Sequence, residues 1–211
     1  MLSPRLAAVA DLVPEGSIAA DVGAGHGQLA AHLLRSGRCP RVVTIDLSPS
    51  EPAERLGDGL AALMPEDGVD TVIVAGLGGA TIAGIVARRP LGVSPRRWIL
   101  QPQTEAAHLR ARLLEASLGL VAERLVEDAG RFYPILVASP EAKARLIVPS
   151  GLDEEDVLEA GPCLLRDRPP ELATAWERQR ERLGRLAERG ARRVVPALAR
   201  AERILAYLKG G

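Results

Sequence analysis

Four short apolar runs, each closed by an acid, a glycine or a proline and each followed by a helix, constrain this chain more than any other feature. They are Ser17–Val22, Arg41–Ile45, Val69–Val74 and the run that ends in Trp98–Leu100 before Gln101-Pro102. Helical spacing follows over His26–Leu34 and over Glu105–Ala116, where positions 106, 109, 113 and 114 are apolar. Runs this short and this uniformly apolar are strands buried on both faces, and the helices between them make the strands parallel. Two further strands, near Leu118–Val126 and Phe132–Ala138, are joined by Glu127–Arg131, a hairpin-length link containing Gly130. The fold class is therefore α/β: a doubly wound, Rossmann-like parallel sheet that finishes in an antiparallel hairpin.

Pro140–Gly151 marks a boundary, and we expect one domain over residues 1–150 and a helical one over 151–211. In the second, Asp153–Ala160 is a short helix broken by Gly161-Pro162, and Pro169-Pro170 opens a long one. Leu172, Trp176, Leu183 and Leu186 share a face of that helix, and Leu198–Leu208 resumes after Gly190 and Pro196, which fits an antiparallel helix pair. Formal charge is zero overall, but residues 166–211 hold 12 basic and 6 acidic groups, so the body is acidic and the tail basic. That asymmetry suits a polyanionic partner, and it suits an ordinary solvated helix face equally well. With 47% hydrophobic residues the chain is not disordered. Cys39 and Cys163 form neither a disulfide framework nor a paired zinc motif, so no metal is expected. Charges within Met1–Gly16 argue against a leader, and no run is long enough to span a bilayer; a cytoplasmic protein is expected.

Chemistry concentrates after the strands. Asp21-Val-Gly23-Ala-Gly25-His26-Gly27 follows the first strand and opens the first helix of the alternation. It is not a dinucleotide fingerprint, because the third glycine of G-x-G-x-x-G would fall at Gln28. Glycines at 23, 25 and 27 instead match loops that hold S-adenosylmethionine, which needs close backbone approach but brings no pyrophosphate. Asp46, at the end of the second strand, is placed to accept from two ribose hydroxyls, although a turn acid in Asp46-Leu-Ser48-Pro49 would look the same. Asp58 in Gly57-Asp58-Gly59-Leu60 is either an acceptor for the cofactor's adenine amine, with Gly59 beside it, or an ordinary turn residue.

Gly76-Leu77-Gly78-Gly79 closes the third strand, at the sheet edge where catalytic residues gather. The acidic or Asn-Pro-Pro-aromatic tetrad of many amino methyltransferases is missing. Gly76, Gly78 and Gly79 offer backbone groups and room for a flat base. N1 of adenine suits such a site, since its in-plane lone pair attacks a methyl group without prior deprotonation. Gln101 at the next strand end is a candidate base contact or a structural hydrogen bonder. His26 is a site residue or a helix cap. His32, His108 and Trp176 are expected to be packing or surface residues.

These pieces together resemble a known family. Leu2-Ser3-Pro4-Arg5-Leu6 with Val9-Ala10, Ala20-Asp21-Val22-Gly23, His26, Gly57-Asp58-Gly59-Leu60, Ala75-Gly76-Leu77-Gly78-Gly79, Ile99-Leu100-Gln101-Pro102, and Glu127-Asp128 with Tyr133 are similar to the bacterial tRNA (adenine-22-N1)-methyltransferases. Gly161-Pro162 before a long helical tail fits as well. The resemblance implies a class I methyltransferase domain, a coiled-coil-like helical domain, S-adenosylmethionine and tRNA. It implies catalytic roles around His26, Gly76, Gly78, Gly79 and Gln101, and cofactor roles for Asp21, Gly23, Gly25, Gly27, Asp46, Asp58 and Gly59. Two departures stand out. Where the family has an acid before the histidine, an aromatic or basic residue after the loop and often a proline, this chain has Gly25, Gln28 and Ala30. Only 11 residues separate Asp46 from Asp58, too few for a crossover helix and a strand, so the sheet is expected to lack its third strand.

We therefore expect methyl transfer to N1 of a tRNA adenine, with Arg178, Arg182, Arg185 and Arg189 of the tail on the RNA, by a monomer or weak dimer. The alternatives are a same-fold methyltransferase with another substrate and a cofactor- or tRNA-binding protein that has lost catalysis.

Overall fold

The computed structural model describes residues 2–48 and 53–210. It divides into two compact units, Met1–Arg145 and Leu146–Gly211, with the division inside the Pro140–Gly151 stretch.

In the first unit, helix α1 (Pro4–Leu12) precedes the sheet; Ser3 caps it by accepting from the Leu6 amide, and Pro4 fills the first turn. Strand β1 (Ile18–Val22), helix α2 (Gln28–Arg35), strand β2 (Arg41–Asp46) and the two-residue strand β3 (Arg55–Leu56) follow. Strand β4 (Thr71–Leu77) leads into helix α3 (Gly79–Ala87), and strand β5 (Arg97–Pro102) into helix α4 (Ala106–Glu115). Strands β6 (Gly119–Asp128) and β7 (Arg131–Ser139) form the closing hairpin, turned at Ala129-Gly130. The strand order is β3-β2-β1-β4-β5-β7-β6, parallel except where β7 meets β5 and β6.

Alternate residues of the central strands feed two separate cores, which explains the unbroken apolar runs. Ala20, Val22, Val72, Val74, Trp98 and Leu100 pack with Ile82 of α3 and with Leu109 and Leu113 of α4. Ala19, Ile73 and Ile99 pack on the other face with Val9 of α1 and with Leu29 and Leu33 of α2.

The expectation of a missing third strand is corrected. Arg55 and Leu56 pair in parallel with Ile45 and Asp46, giving seven strands. Polar anchors hold this two-residue strand. The Glu54 amide donates to Thr44 Oγ1 at 2.7 Å, the Gly57 amide to the Asp46 carbonyl at 3.0 Å, and Arg55 makes two 2.6 Å bonds to the buried Asp67 carboxylate.

The second unit contains helices α5 (Glu154–Ala160), α6 (Pro162–Asp167), α7 (Pro170–Glu188) and α8 (Val195–Lys209). Leu172 and Leu183 of the expected stripe are buried, and Lys209 at the end of α8 pairs with Glu177 of α7 at 3.2 Å, as antiparallel helices require. Buried Asp156 of α5 receives Arg203 of α8 at 2.7 and 2.9 Å. No helix among the described residues is long and apolar enough to cross a membrane.

Candidate active site

The chain leaves β1 toward β2 on one side and returns to β4 on the other. The strand order therefore reverses between β1 and β4, and in a doubly wound sheet the ligand crevice opens at the carboxyl ends of those strands. The glycine loop lies there. Gly23 and Ala24 donate to the Ile45 carbonyl at 2.8 and 3.3 Å, and Gly27 precedes α2. Gly25 has φ of 53°, and a Cβ added to it would meet nothing within 4 Å, so its backbone faces open space. A Cβ on Gly23 would touch Leu77 Cδ1 at 3.4 Å, which joins this loop to the Gly76–Gly79 loop.

Two carboxylates flank the glycine loop in opposite electrostatic states. Asp46 Oδ2 accepts from the Gly25 amide at 2.9 Å and Oδ1 from the Ser48 amide at 3.0 Å. These amides, Ser48 first, hold its carboxyl below the usual range, so it is ionised with lone pairs left for a diol. Asp21 is buried, and its Oδ2 has no hydrogen-bond partner. Burial is the main force that pushes its carboxyl up to about 7; the Ala30 amide opposes this and the Asp46 charge adds to it. An orphaned buried acid beside an open loop fits a cationic group such as an amino acid ammonium. Among the described residues His26 is exposed and its side chain makes no hydrogen bond. Asp58 is also exposed and pairs with Arg88 Nη2 at 3.0 Å, while Gly59 lies buried on Ile85, where a Cβ would come to 3.2 Å.

Across Leu77 lies the second half of the site. Strand β4 bulges at Gly76, whose φ is 83° and whose amide donates to Gln101 Oε1 at 3.1 Å. The same oxygen accepts from Arg5 Nη1 at 2.7 Å, and Gln101 Nε2 donates to the Pro102 carbonyl at 2.8 Å. Gln101 is fully buried, so its amide is spent on protein groups and it positions Gly76 and Arg5. Arg5 stands 3.6 Å from Asp128 and lies over the Tyr133 ring at 5.2 Å, with its buried Nε unbonded. Gly79 is a packing glycine: a Cβ there would sit 2.3 Å from the Glu105 carbonyl oxygen. A Cβ on Gly76 or Gly78 would make only ordinary contacts, with Gln103 Nε2 at 3.6 Å and with Thr104 Oγ1 at 3.4 Å. In the sequence, Arg5, Asp128 and Tyr133 stand out only as parts of segments that resemble the family. Nothing in their spacing announces that α1, β5 and the β6–β7 hairpin bring them together.

A cavity of about 680 Å³ lies at the opposite, amino edge of the strands, lined by Ser17, Asp70, Thr71 and Arg96 among others; the motif residues avoid it.

The sequence profile of the tRNA (adenine(22)-N(1))-methyltransferases matches residues 19–202. The chain belongs to this family. A tRNA (adenine(22)-N(1))-methyltransferase of Bacillus subtilis is 28% identical over 195 residues, which cover 84% of this chain and 81% of that protein. The crystal structure of Streptococcus pneumoniae Sp1610 superposes with a TM-score of 0.82 at 27% identity, covering 97% of this chain and all of the other. Its complex with S-adenosyl-L-methionine does so with a TM-score of 0.79 at 29% identity, again over 97% and 100% of the two chains. The open Gly25 backbone, ionised Asp46 and orphaned Asp21 fit the S-adenosyl-L-methionine that the Streptococcus pneumoniae protein binds.

In the helical unit of this family member, Arg178, Arg182 and Arg185 lie on α7 and Arg189 ends it; all four are exposed. Arg182 bonds Gln179 at 3.1 Å and Arg185 stands 3.8 Å from Glu181, weak exposed pairings that leave the guanidinium groups accessible.

Proposed function

We infer that this chain methylates N1 of an adenine in tRNA, adenine 22 by its family, using S-adenosylmethionine. One observation supports the reading: the glycine loop after β1 and the Gly76–Gly79 loop after β4 meet at Leu77, at the carboxyl ends of paired strands, with Gly23 against that side chain. When bound, the cofactor supplies a methyl carbon whose bond to sulfur breaks, electrons to sulfur, as the N1 lone pair takes it. The protein's part is alignment. Asp21 takes the cofactor's ammonium and Asp46 its ribose hydroxyls. The Gly23, Gly25 and Gly27 backbone receives the chain between them, and Asp58 reaches the adenine amine with the oxygen that Arg88 leaves free. Gln101 fixes the Gly76 bulge and Arg5, and the stacked Arg5–Tyr133 pair walls the opening. His26 sits at the exposed rim, a position for contact with RNA rather than for proton transfer, which N1 methylation does not need. Arg178, Arg182, Arg185 and Arg189 contribute phosphate contacts.

Incubation with radiolabelled S-adenosylmethionine and unmodified tRNA tests this, with the product nucleoside identified. We expect 1-methyladenosine at position 22. Label in another nucleoside, or no label in tRNA, overturns the reading.

A further inference from the structure

Among the described residues four that are not glycine have a positive φ: Glu105, Ser117, Ala129 and Arg168. Three have routine reasons. Ser117 follows the end of α4 and Arg168 caps α6, where a left-handed residue stops a helix, and Ala129 opens the two-residue β6–β7 turn. Glu105 has none. It precedes α4 with φ 57° and ψ 39°, a position normally extended, and its side chain makes no capping bond. A glycine or asparagine there would avoid the steric cost.

What this conformation achieves is local. It lays the 104–105 backbone against the start of α3, where the Gly79 amide donates to the Thr104 carbonyl at 2.9 Å. It also carries the Glu105 carboxylate over Gly78: Oε2 lies 3.7 Å from where a Cβ of Gly78 would stand, beside Thr104 Oγ1 at 3.4 Å and Thr81 Oγ1 at 3.9 Å. The carboxylate is exposed and has no hydrogen-bond or ion-pair partner among the described residues. The same strained backbone thus both packs residues 104–105 on α3 and sets a carboxylate beside Gly78, and strain of this kind clusters at functional sites.

A base seated at the Gly76–Gly78 loop, as the proposed function has it, asks for such a group. Beside N1, adenine carries an exocyclic amine that only donates, and the charge developed on N1 methylation spreads onto that amine. A carboxylate accepting from it gains strength as the reaction proceeds. Guanine and hypoxanthine present a carbonyl oxygen at the same place and meet repulsion. We propose that Glu105 is the residue that reads the target base, its carboxylate accepting a hydrogen bond from the 6-amino group of the adenine whose N1 is methylated. This rests on the methyl-transfer reading above.

The test crosses a side-chain change with an atom change in the base. Glu105→Asn suits the left-handed backbone, so the full-length variant should melt no lower than the parent and bind S-adenosylmethionine unchanged by calorimetry. Single-turnover methylation of tRNA should fall roughly 10- to 100-fold, the rate equivalent of a hydrogen bond to a charged group. With tRNA carrying purine riboside, which lacks the amine, in place of the target adenosine, parent and variant should react at equal rates. Equal losses on both substrates, or none on adenosine, overturn the assignment. If the parent itself leaves adenine unmethylated, the underlying reading fails, and that result is separable because it does not involve the variant.

Discussion

Asp21 couples protonation to stability and, on the proposed function, to cofactor binding. Its carboxyl is raised to about 7 from 3.8, so between those values the folded chain holds a proton that the unfolded chain has released. Stability from this group is therefore complete below about pH 4 and is lost as pH rises through 7. Asp21→Asn should remove that fall and make the cofactor-free protein more stable than the parent at pH 8, by up to about 4 kcal/mol. Denaturant titrations at pH 5 and pH 8 measure it; parallel curves for parent and variant would contradict it. The same variant should bind S-adenosylmethionine more weakly, since the ammonium loses its counter-charge. Asp46 is the opposite case, ionised throughout because amides hold it, and Asp46→Ala should weaken cofactor binding by roughly 1.5–3 kcal/mol. Unchanged calorimetric affinity would reduce Asp46 to a turn acid.

Among the elements, α1 and β3 carry most of what the sequence left unread. The central strands were legible because burial on both faces leaves an apolar run, and the hairpin because Gly130 sits between two strand patterns. Helix α1 has its signals in Ser3-Pro4 and Val9, but nothing linear places Arg5 against Gln101, 96 residues away. Strand β3 was missed because its anchor is the Arg55–Asp67 pair, and a loop-length argument counts residues rather than charges. Each element yields an expectation. Arg5→Met keeps the stem and removes the guanidinium, so Gly76 and Tyr133 lose their brace; methyl transfer should drop roughly 10- to 100-fold, with cofactor affinity intact. A fall in cofactor affinity of similar size would show that α1 acts on the wrong half of the site. Asp67→Asn leaves Arg55 without its carboxylate and should lower stability by about 1–3 kcal/mol in denaturant melts. The site glycines divide in a way only packing reveals: Gly25 faces open space, Gly76 and Gly78 have neighbours at ordinary contact distance, and Gly59 and Gly79 make room for close ones.

For the whole molecule, the basic tail sets how tRNA binding responds to salt. Replacing Arg178, Arg182, Arg185 and Arg189 with Gln keeps helix propensity and removes four charges. Affinity for tRNA should fall, and the slope of log affinity against log salt should become shallower by about 0.9 for each phosphate no longer neutralised. Cofactor affinity should stay constant across the same salt series. An unaltered slope in a folded variant would move the RNA surface elsewhere. The two-residue β3 has a further consequence, for how the molecule behaves in a crowded solution. Every open sheet has two edges at which another chain can add itself as a strand. Here one edge offers a ladder only two residues long. The other, β6, is long, but it is kinked between Leu120 and Ala122 and carries Glu123, Arg124, Glu127 and Asp128. An incoming strand finds too little backbone at the first edge and a bent, charged one at the second, so this sheet resists growing into its neighbours even when the protein is concentrated.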